Sequence, residues 1–475
     1  MFKKRKMEAG SEAAAAGRVE NKPMKSPHVW ALLFGLAALC AVLTWIIPAG
    51  SFERQEVNGR MMAVAGTYAQ TESTPVGLWG LLMALPKGWA DIANGIFMVF
   101  FVGAALKVME VTGALSAALN KMVVAFRGKE LIGVCIISVV FSLLGMGDSL
   151  GMAVLAIVPL CVAVSRAMGF DGLVGLSMSY IAYHVGFSAG EINIFTTAIA
   201  QELEDIPRFS GMGVRIFLHV VLLATLLYFT IRYAIKVKKE PSQTLCMADS
   251  SLNVELGGET SMSVRQIINL VLFIVTFIII VYGAIVHSWS YQQFSAMFLA
   301  LAIAAGLVGG LGINGTATAC VNGCSGVAYG ALVIGIARSI SIILTEGGIM
   351  DTVVYWMSKP IAASGPAVGA LLMFLANVVV NIFIPSGSGQ AAVVMPLMIP
   401  LADVTGISRH VAVIAFQMGD GLNNFIIPTA AMLMASLGMI GIPYNKYLKW
   451  AFPIFLVHAA IAAVVIIALQ LAGWC

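Results

Sequence analysis

Charged side chains are scarce in this sequence. Asp, Glu, Lys and Arg make up 11% of its 475 residues, whereas 60% are hydrophobic. Soluble domains are about 25% charged and about 45–50% apolar, so the composition excludes an ordinary soluble protein. Apolar stretches of roughly 20 residues, enough to cross about 30 Å of hydrocarbon, recur from Trp30 to the C-terminus. The sequence therefore predicts a polytopic membrane protein.

Signatures of several enzyme and binding classes are also missing. The sequence contains neither the HExxH pair of zinc peptidases nor the Walker loop that binds ATP. Its cysteines and histidines show no paired metal-ligand spacing, so no metal site is expected. The net charge of +4 is small and the basic residues lie beside apolar segments, so no nucleic-acid partner is expected. These absences disfavour an enzyme and an ATP-driven pump.

What the chain does contain is a polar phrase in two variant copies, about 235 residues apart. In the first copy, Gly-Asp-Ser-Leu-Gly at residues 147–151 precedes a polar break at residues 186–196. In the second copy, Pro-Ser-Gly-Ser-Gly-Gln at residues 385–390 precedes a similar break at residues 419–429. Breaks at matching places in two apolar halves are typical of secondary transporters built from inverted repeats.

The two breaks align without gaps. The alignment sets His184 against Gln417, and it matches identical residues at Ala182 and Ala415, Gly186 and Gly419, and Thr196 and Thr429. His184 lies one turn before the first break. It is either a neutral histidine that bonds to a neighbouring helix or a group linked to proton movement.

The polar phrases split two apolar stretches, at residues 130–168 and 363–404. An unbroken helix cannot carry such phrases across lipid, because the freed backbone groups would face hydrocarbon. Each stretch is therefore predicted to be a re-entrant hairpin. We predict an all-α polytopic fold with about nine transmembrane helices and two re-entrant hairpins in inverted repeats. The crossings are predicted near residues 28–48, 91–110, 172–202, 212–236, 264–288, 292–313, 325–345, 408–440 and 446–470.

Basic residues concentrate in alternate loops, which predicts the orientation. By the positive-inside rule, the N-terminus is expected in the cytoplasm and the C-terminus outside, in the cell inner membrane. The predicted organisation is a disordered tail (1–27), a first membrane repeat (28–236), a cytoplasmic linker (237–263), and a second membrane repeat with a linking helix (264–475).

Polar residues at the hairpin tips and breaks are the candidate site residues. Hydroxyl and amide groups there, together with glycine backbone and one intramembrane arginine, are expected to bind a small polar substrate. These are Ser149, Gly186, Ser188, Asn193, Thr196, Arg338, Ser386, Gly387, Ser388, Asn423, Asn424 and Thr429. Intramembrane carboxylates are costly and usually functional, so the coupling-ion candidates are Asp148, Glu191 and Asp420.

Three of these roles have structural alternatives. Asp148 and Glu191 could instead bond the hairpin backbone. Arg338, almost alone among basic residues in the middle of a predicted span, could pair with Glu346 or Asp351 or could line the substrate path.

Several segments of the second half resemble a known family. Residues 384–392, 395–396, 415–424, 427–429 and 347–352 are similar to those of YfcC-type carriers, in the anaerobic four-carbon dicarboxylate carrier (DcuC-like) family of the ion transporter superfamily. The resemblance implies that two hairpins meet broken helices to form substrate and cation sites. It also implies a homodimer in which one domain of each subunit moves like an elevator.

The predicted function is gradient-driven transport of a small carboxylate-containing metabolite. Four-carbon dicarboxylates and amino acids such as arginine or ornithine both remain open, by symport with sodium or protons or by exchange. The expected partners are this substrate and membrane lipid, and no cofactor is expected besides sodium or a proton as the coupling ion. An ion channel is the main alternative, and an intramembrane enzyme is a weaker one.

Overall fold

A computed structural model describes residues 29–57, 60–148, 151, 154–193, 195–203, 206–246, 262–287 and 289–474. The predicted tail and most of the predicted linker lie outside these residues. Seven of the described helices are long and apolar enough to cross a membrane. The predicted all-α polytopic fold is therefore confirmed, while the exact number of crossings stays a prediction.

The described residues of the first half form ten α-helices. A π-helical turn, Ser177–Ile181, joins the seventh helix to the eighth. The helices are α1 (Val29–Ile46), α2 (Leu78–Asp91), α3 (Ala93–Val111), α4 (Ala114–Phe126), α5 (Glu130–Gly145), α6 (Val154–Ala167), α7 (Gly172–Leu176), α8 (Ala182–Ala189), α9 (Thr197–Leu203) and α10 (Met212–Lys239).

Nine α-helices follow in the part of the second half that the structure describes. A 3-10 turn, Leu422–Phe425, extends the seventh of them. The helices are α11 (Val264–His287), α12 (Tyr291–Val308), α13 (Gly312–Glu346), α14 (Met350–Ala362), α15 (Pro366–Phe383), α16 (Gly387–Thr405), α17 (Arg409–Gly421), α18 (Ala431–Ile440) and α19 (Tyr444–Leu471).

Three helices, α2, α4 and α14, were not predicted from the sequence. A helix of 13 residues spans about 20 Å, which is shorter than the hydrocarbon layer, so a search for 20-residue spans passes over it. The polar loop after α1 also forms two antiparallel ribbons. In these, β1 (Gly50–Ser51) pairs with β4 (Ala69–Gln70), and β2 (Arg54–Val57) pairs with β3 (Arg60–Ala63).

Helix pairs occupy both predicted hairpin positions and both predicted broken helices are interrupted, with shifted boundaries, while the re-entrant path of the hairpins stays a prediction. Helices α5 and α6 form the first hairpin, and α15 and α16 form the second. The helical turns continue past the predicted starts of both breaks. The first break begins at Gly190 rather than Gly186, and the second follows Gly421 rather than Gly419. Residues 387–390 form the first turn of α16 rather than the turn of the hairpin.

Each hairpin packs closely against the broken helix of its own repeat, α5 against α8 and α15 against α17. A Cβ at Gly186 would lie 1.8 Å from the Ser142 carbonyl oxygen, and one at Gly419 would lie 2.4 Å from Asn377 Cβ. Equivalent glycines therefore permit the same close backbone contact in both repeats. The two broken helices also meet, because a Cβ at Gly421 would lie 2.4 Å from Ser188 Cα.

Side chains from distant parts of the chain satisfy the backbone groups that the first break frees. Gln417 donates to the Phe187 carbonyl oxygen at 2.6 Å and accepts from Thr197 Oγ1 at 3.0 Å. Arg215 of α10 donates to the Ala189 carbonyl oxygen at 3.3 Å. Because lipid offers no hydrogen bonds, such partners allow an interrupted helix at membrane depth.

Three tyrosines do the same for the second break. Tyr180, Tyr444 and Tyr447 donate to the carbonyl oxygens of Asn424, Ile426 and Phe425, at 2.7, 2.6 and 2.5 Å. Tyr180 lies in the first repeat, so this bond also ties one break to the other.

Candidate functional site

A cavity of about 810 Å³ lies where the two hairpin tips approach the two breaks. Its lining comes from both halves of the chain, as inverted-repeat transporters require of a substrate site. Eight of the predicted site residues line it: Asp148, Thr196, Arg338, Ser386, Gly387, Ser388, Asn424 and Thr429.

The second hairpin presents the N-terminus of α16 to this cavity. Ser386 is the N-cap residue, and its hydroxyl accepts a 3.4 Å hydrogen bond from the Gly389 amide. A Cβ at Gly387 would lie 2.3 Å from Thr196 Cγ2 and 2.7 Å from Asp420 Oδ2. Only glycine therefore allows this close approach of the hairpin tip to both breaks. A helix N-terminus with free amides favours an anionic group such as a carboxylate.

The first hairpin contributes a carboxylate. Asp148 adopts a left-handed backbone conformation (φ 52°), which is uncommon for a residue other than glycine. Tyr183 donates a 2.6 Å hydrogen bond to Asp148 Oδ1, and the Tyr183 hydroxyl accepts one from the Gly151 amide at 3.0 Å. The tyrosine thus holds both the carboxylate and the hairpin tip. Ser149, the neighbouring candidate, lies outside the described residues.

Arg338 lies on the cavity wall and bonds to Asp91 at 2.5 Å. The two alternative partners considered from the sequence are engaged elsewhere. Glu346 pairs with Lys87, and Asp351 pairs with Arg54 at 3.0 Å. The expected pairing of Arg338 with Glu346 or Asp351 is therefore wrong, since Arg338 pairs with Asp91 and faces the cavity.

Four of the predicted substrate-binding residues are absent from the described cavity lining. Gly186 packs against α5, as described above. The Ser188 hydroxyl donates to the His184 carbonyl oxygen at 2.6 Å within α8. Asn193 Oδ1 accepts hydrogen bonds from the Phe195 and Thr196 amides, and Asn423 donates to the Val378 carbonyl oxygen at 2.5 Å. These side chains shape the two breaks rather than the cavity surface.

Glu191 belongs to a separate buried cluster. One of its oxygens lies 2.5 Å from His219 Nδ1, and both side chains are less than 10% exposed. Arg215, also buried, lies one turn before His219 on α10 and interacts electrostatically with Glu191. This predicted coupling residue is thus surrounded by basic groups and lies away from the cavity lining.

Asp420 is fully buried behind the second hairpin tip. Asn381 donates to Asp420 Oδ1 at 2.6 Å and to Gln390 Oε1 at 3.0 Å, and Gln390 donates to Asn377 Oδ1 at 2.9 Å. Asp420 Oδ2, Asn381 Oδ1 and Thr196 Oγ1 have no hydrogen-bond partner in the described part of the chain. Hard cations prefer oxygen ligands of this kind.

The sequence matches a known family over most of its length. Residues 26–471 match the family described as the C4-dicarboxylate anaerobic carriers, DcuC. The chain belongs to this family. It is therefore a polytopic membrane transporter, and the predicted membership of the C4-dicarboxylate anaerobic carrier family is confirmed.

Two curated relatives match this carrier over nearly their whole length. A protein of Escherichia coli K12 named "Putative basic amino acid antiporter YfcC" is 28% identical, with coverage of 96% of this chain and 99% of that protein. An uncharacterized protein of Haemophilus influenzae is 26% identical, with coverage of 91% and 95%.

Two solved structures also resemble the carrier at low identity. The YdaH transporter of Alcanivorax borkumensis is 16% identical with a TM-score of 0.42, covering 94% of this chain and 99% of that one. MtrF of Neisseria gonorrhoeae, described with a class of antimetabolite efflux pumps, is 16% identical with a TM-score of 0.40, covering 93% and 95%.

Several lining residues of the carrier were not predicted from the sequence. Asp91 lies at the end of α2, and Tyr291 begins α12. Tyr291 is close enough to Asp148 and Arg338 to interact with their charges. Neither residue lies in a polar phrase, so no local signal marks it.

An aromatic wall also lines the cavity and includes Tyr180, Phe187, Phe195, Trp289 and Phe294.

Two stretches of the carrier fit the G-x-S-x-G pattern of serine hydrolases, at residues 147–151 and 186–190. A nucleophile elbow places its serine on a sharp turn between a strand and a helix. Ser188 instead lies inside α8 and donates its hydroxyl proton to a carbonyl of the same helix. The second stretch, residues 186–190, therefore does not have the geometry of a hydrolase nucleophile.

Replacing Gly186 with alanine should destabilise the carrier by about 1–3 kcal/mol, because the added methyl group overlaps the backbone of α5. The melting temperature of the purified protein in detergent measures this effect. Gly326→Ala is the matched control, since Gly326 lies in α13 with no atom within 4 Å of the added Cβ. That variant should melt at or above the wild-type temperature. A stable Gly186→Ala protein with lost substrate affinity would assign Gly186 to binding instead.

Proposed function

We propose that this chain is a secondary transporter of an amino acid with a basic side chain, such as arginine or ornithine. The proposal rests on the charges of the side chains that line the cavity. Among the described lining residues, Arg338 is the single lysine or arginine, and Asp91 already neutralises it. Asp148 adds a carboxylate whose described partner is a neutral tyrosine. The wall therefore favours a substrate with an excess of positive charge.

The substrate carboxylate would lie at the N-terminus of α16. Ser386, Gly387 and Ser388 line the cavity there, with the hydroxyl of Thr429 from the second break. Thr429 Oγ1 is buried and has no described partner, so it is available to a ligand. Hydroxyl groups and first-turn amides together suit a carboxylate.

The basic end of the substrate would lie near Asp148, among aromatic rings. Aromatic faces attract ammonium and guanidinium groups by about 0.5–2 kcal/mol each. A four-carbon dicarboxylate fits this end poorly, because it would need a second fixed cation beside Arg338. The name of the E. coli relative favours a basic amino acid as well, although the family description refers to dicarboxylates.

We also propose that Asp420 binds the coupling cation, sodium or a proton. The charge of a buried carboxylate is costly unless a cation or proton balances it. Gly387 at the second hairpin tip lies next to this carboxylate and also lines the cavity, so ion binding there would affect substrate binding directly.

Counterflow in proteoliposomes tests the substrate. Vesicles loaded with unlabelled L-ornithine should accumulate external labelled L-ornithine or L-arginine, whereas vesicles loaded with succinate should accumulate much less of either. The opposite preference would make the chain a dicarboxylate carrier. Rapid flux that does not saturate would indicate a channel.

The inner-membrane location, the orientation and the dimer are proposed as well. The positive-inside bias supports a cytoplasmic N-terminus and an external C-terminus. Protease added to spheroplasts should therefore remove a C-terminal tag and spare an N-terminal one. The mass of the purified protein, measured by light scattering with detergent subtracted, should be twice that of the chain. A chain-sized mass would exclude the dimer.

A further inference from the structure

The ring of His184 is buried and has no hydrogen-bond partner in the described part of the chain. Its exposed fraction is 2%, and neither Nδ1 nor Nε2 is bonded in the part of the chain that the structure describes. The surrounding side chains are aromatic, with ring centroids of Tyr180, Tyr183 and Phe187 at 4.4, 5.6 and 5.8 Å. A histidine that served packing alone would be expected to bond to a neighbouring helix, because an unpaired buried polar group is costly.

The equivalent residue of the second repeat behaves differently. Gln417, which aligns with His184, uses both ends of its amide to hold the first break together. His184 lines the substrate cavity instead. A π-helical turn directly precedes α8, and such turns are frequent at functional sites. One repeat thus uses this position for structure, and the other keeps a polar ring free beside the cavity.

We propose that His184 is a substrate-binding residue whose ring forms one hydrogen bond with the amino-acid substrate. The His184 ring lies 5.6 Å from the ring of Tyr183, which donates to Asp148, and both His184 and Asp148 line the cavity, so the His184 ring lies near the end that receives the basic group. The inference rests on the proposed function for the identity of the ligand. The unpaired ring nitrogens are independent of that identity.

Two apolar variants, His184→Phe and His184→Leu, test the inference in the purified full-length protein. Both remove the unpaired nitrogens and suit an aromatic environment, so the melting temperature without substrate should stay the same or rise. Affinity for L-ornithine should fall about tenfold or more, as expected for one lost hydrogen bond to a charged ligand. His184→Gln keeps hydrogen-bonding groups and should lose less.

His458→Phe is the matched control. His458 is fully buried and bonds to Thr225 Oγ1 at 2.8 Å, and it is not among the described cavity-lining residues. This variant should lower the melting temperature and leave L-ornithine affinity unchanged. The inference is overturned if both apolar His184 variants keep wild-type affinity, or if both lose stability as His458→Phe does. The melting temperatures need no ligand, so they test His184 even if neither L-ornithine nor succinate is transported.

Discussion

Asp148→Asn should weaken L-ornithine binding by about 2–5 kcal/mol, which is more than tenfold in affinity. The asparagine keeps the shape of the side chain and can still accept the hydrogen bond from Tyr183. The variant therefore removes the negative charge of Asp148, which we propose binds the basic group of the substrate. Equilibrium binding to the purified protein and the concentration dependence of counterflow both measure the loss.

The same variant separates the two substrate classes. If the carrier binds a dicarboxylate, removing an acidic group from the wall should leave succinate affinity unchanged or raise it. Asp351→Asn is the control, because Asp351 is a buried carboxylate that pairs with Arg54 of β2. It should leave ornithine affinity at the wild-type value. Equal loss in both variants would contradict a specific role for Asp148.

Asp420→Asn should abolish accumulation of substrate against its gradient while counterflow remains measurable. Asparagine can still accept the bond from Asn381, so the arrangement behind the hairpin is expected to persist. The variant loses only the negative charge of Asp420, which we propose balances the coupling cation. Uptake should be measured under imposed sodium and proton gradients separately, since the gradient that stops driving transport identifies the ion.

Asp403→Asn is the control for this experiment. Asp403 lies on α16, the helix that precedes the one bearing Asp420, and it is exposed and pairs with Arg409 at 2.9 Å. It should accumulate substrate as the wild type does. Wild-type accumulation by Asp420→Asn across a range of pH and sodium concentration would make Asp420 a structural residue.

Hairpins and broken helices could be predicted because lipid restricts where polar residues can occur. Gly-Asp-Ser or Pro-Ser-Gly-Ser-Gly inside an apolar stretch has few explanations besides a turn or a break at membrane depth. Residues of these phrases, including Asp148, Thr196 and Ser386, accordingly line one cavity.

Other features depend on packing that no local pattern reveals. Glycine at a break can serve backbone approach or substrate contact, and only the position of Ser142 distinguishes these roles for Gly186. Asp91 and Tyr291 reach the cavity because α2 and α12 are placed beside it, although neither lies in a repeated phrase. Short helices such as α4 and α14 fall below the length that identifies a crossing.

The hydrogen bond from Gln417 to the Phe187 carbonyl joins residues that are 230 positions apart in the chain. At roughly 5–20 residues per second, the ribosome reaches Gln417 about 10–50 s after Phe187. During that interval the first interrupted helix must enter or approach the bilayer without the glutamine that completes it. The carbonyl oxygen of Phe187 therefore gains its partner from the second half only after the first half has been synthesised.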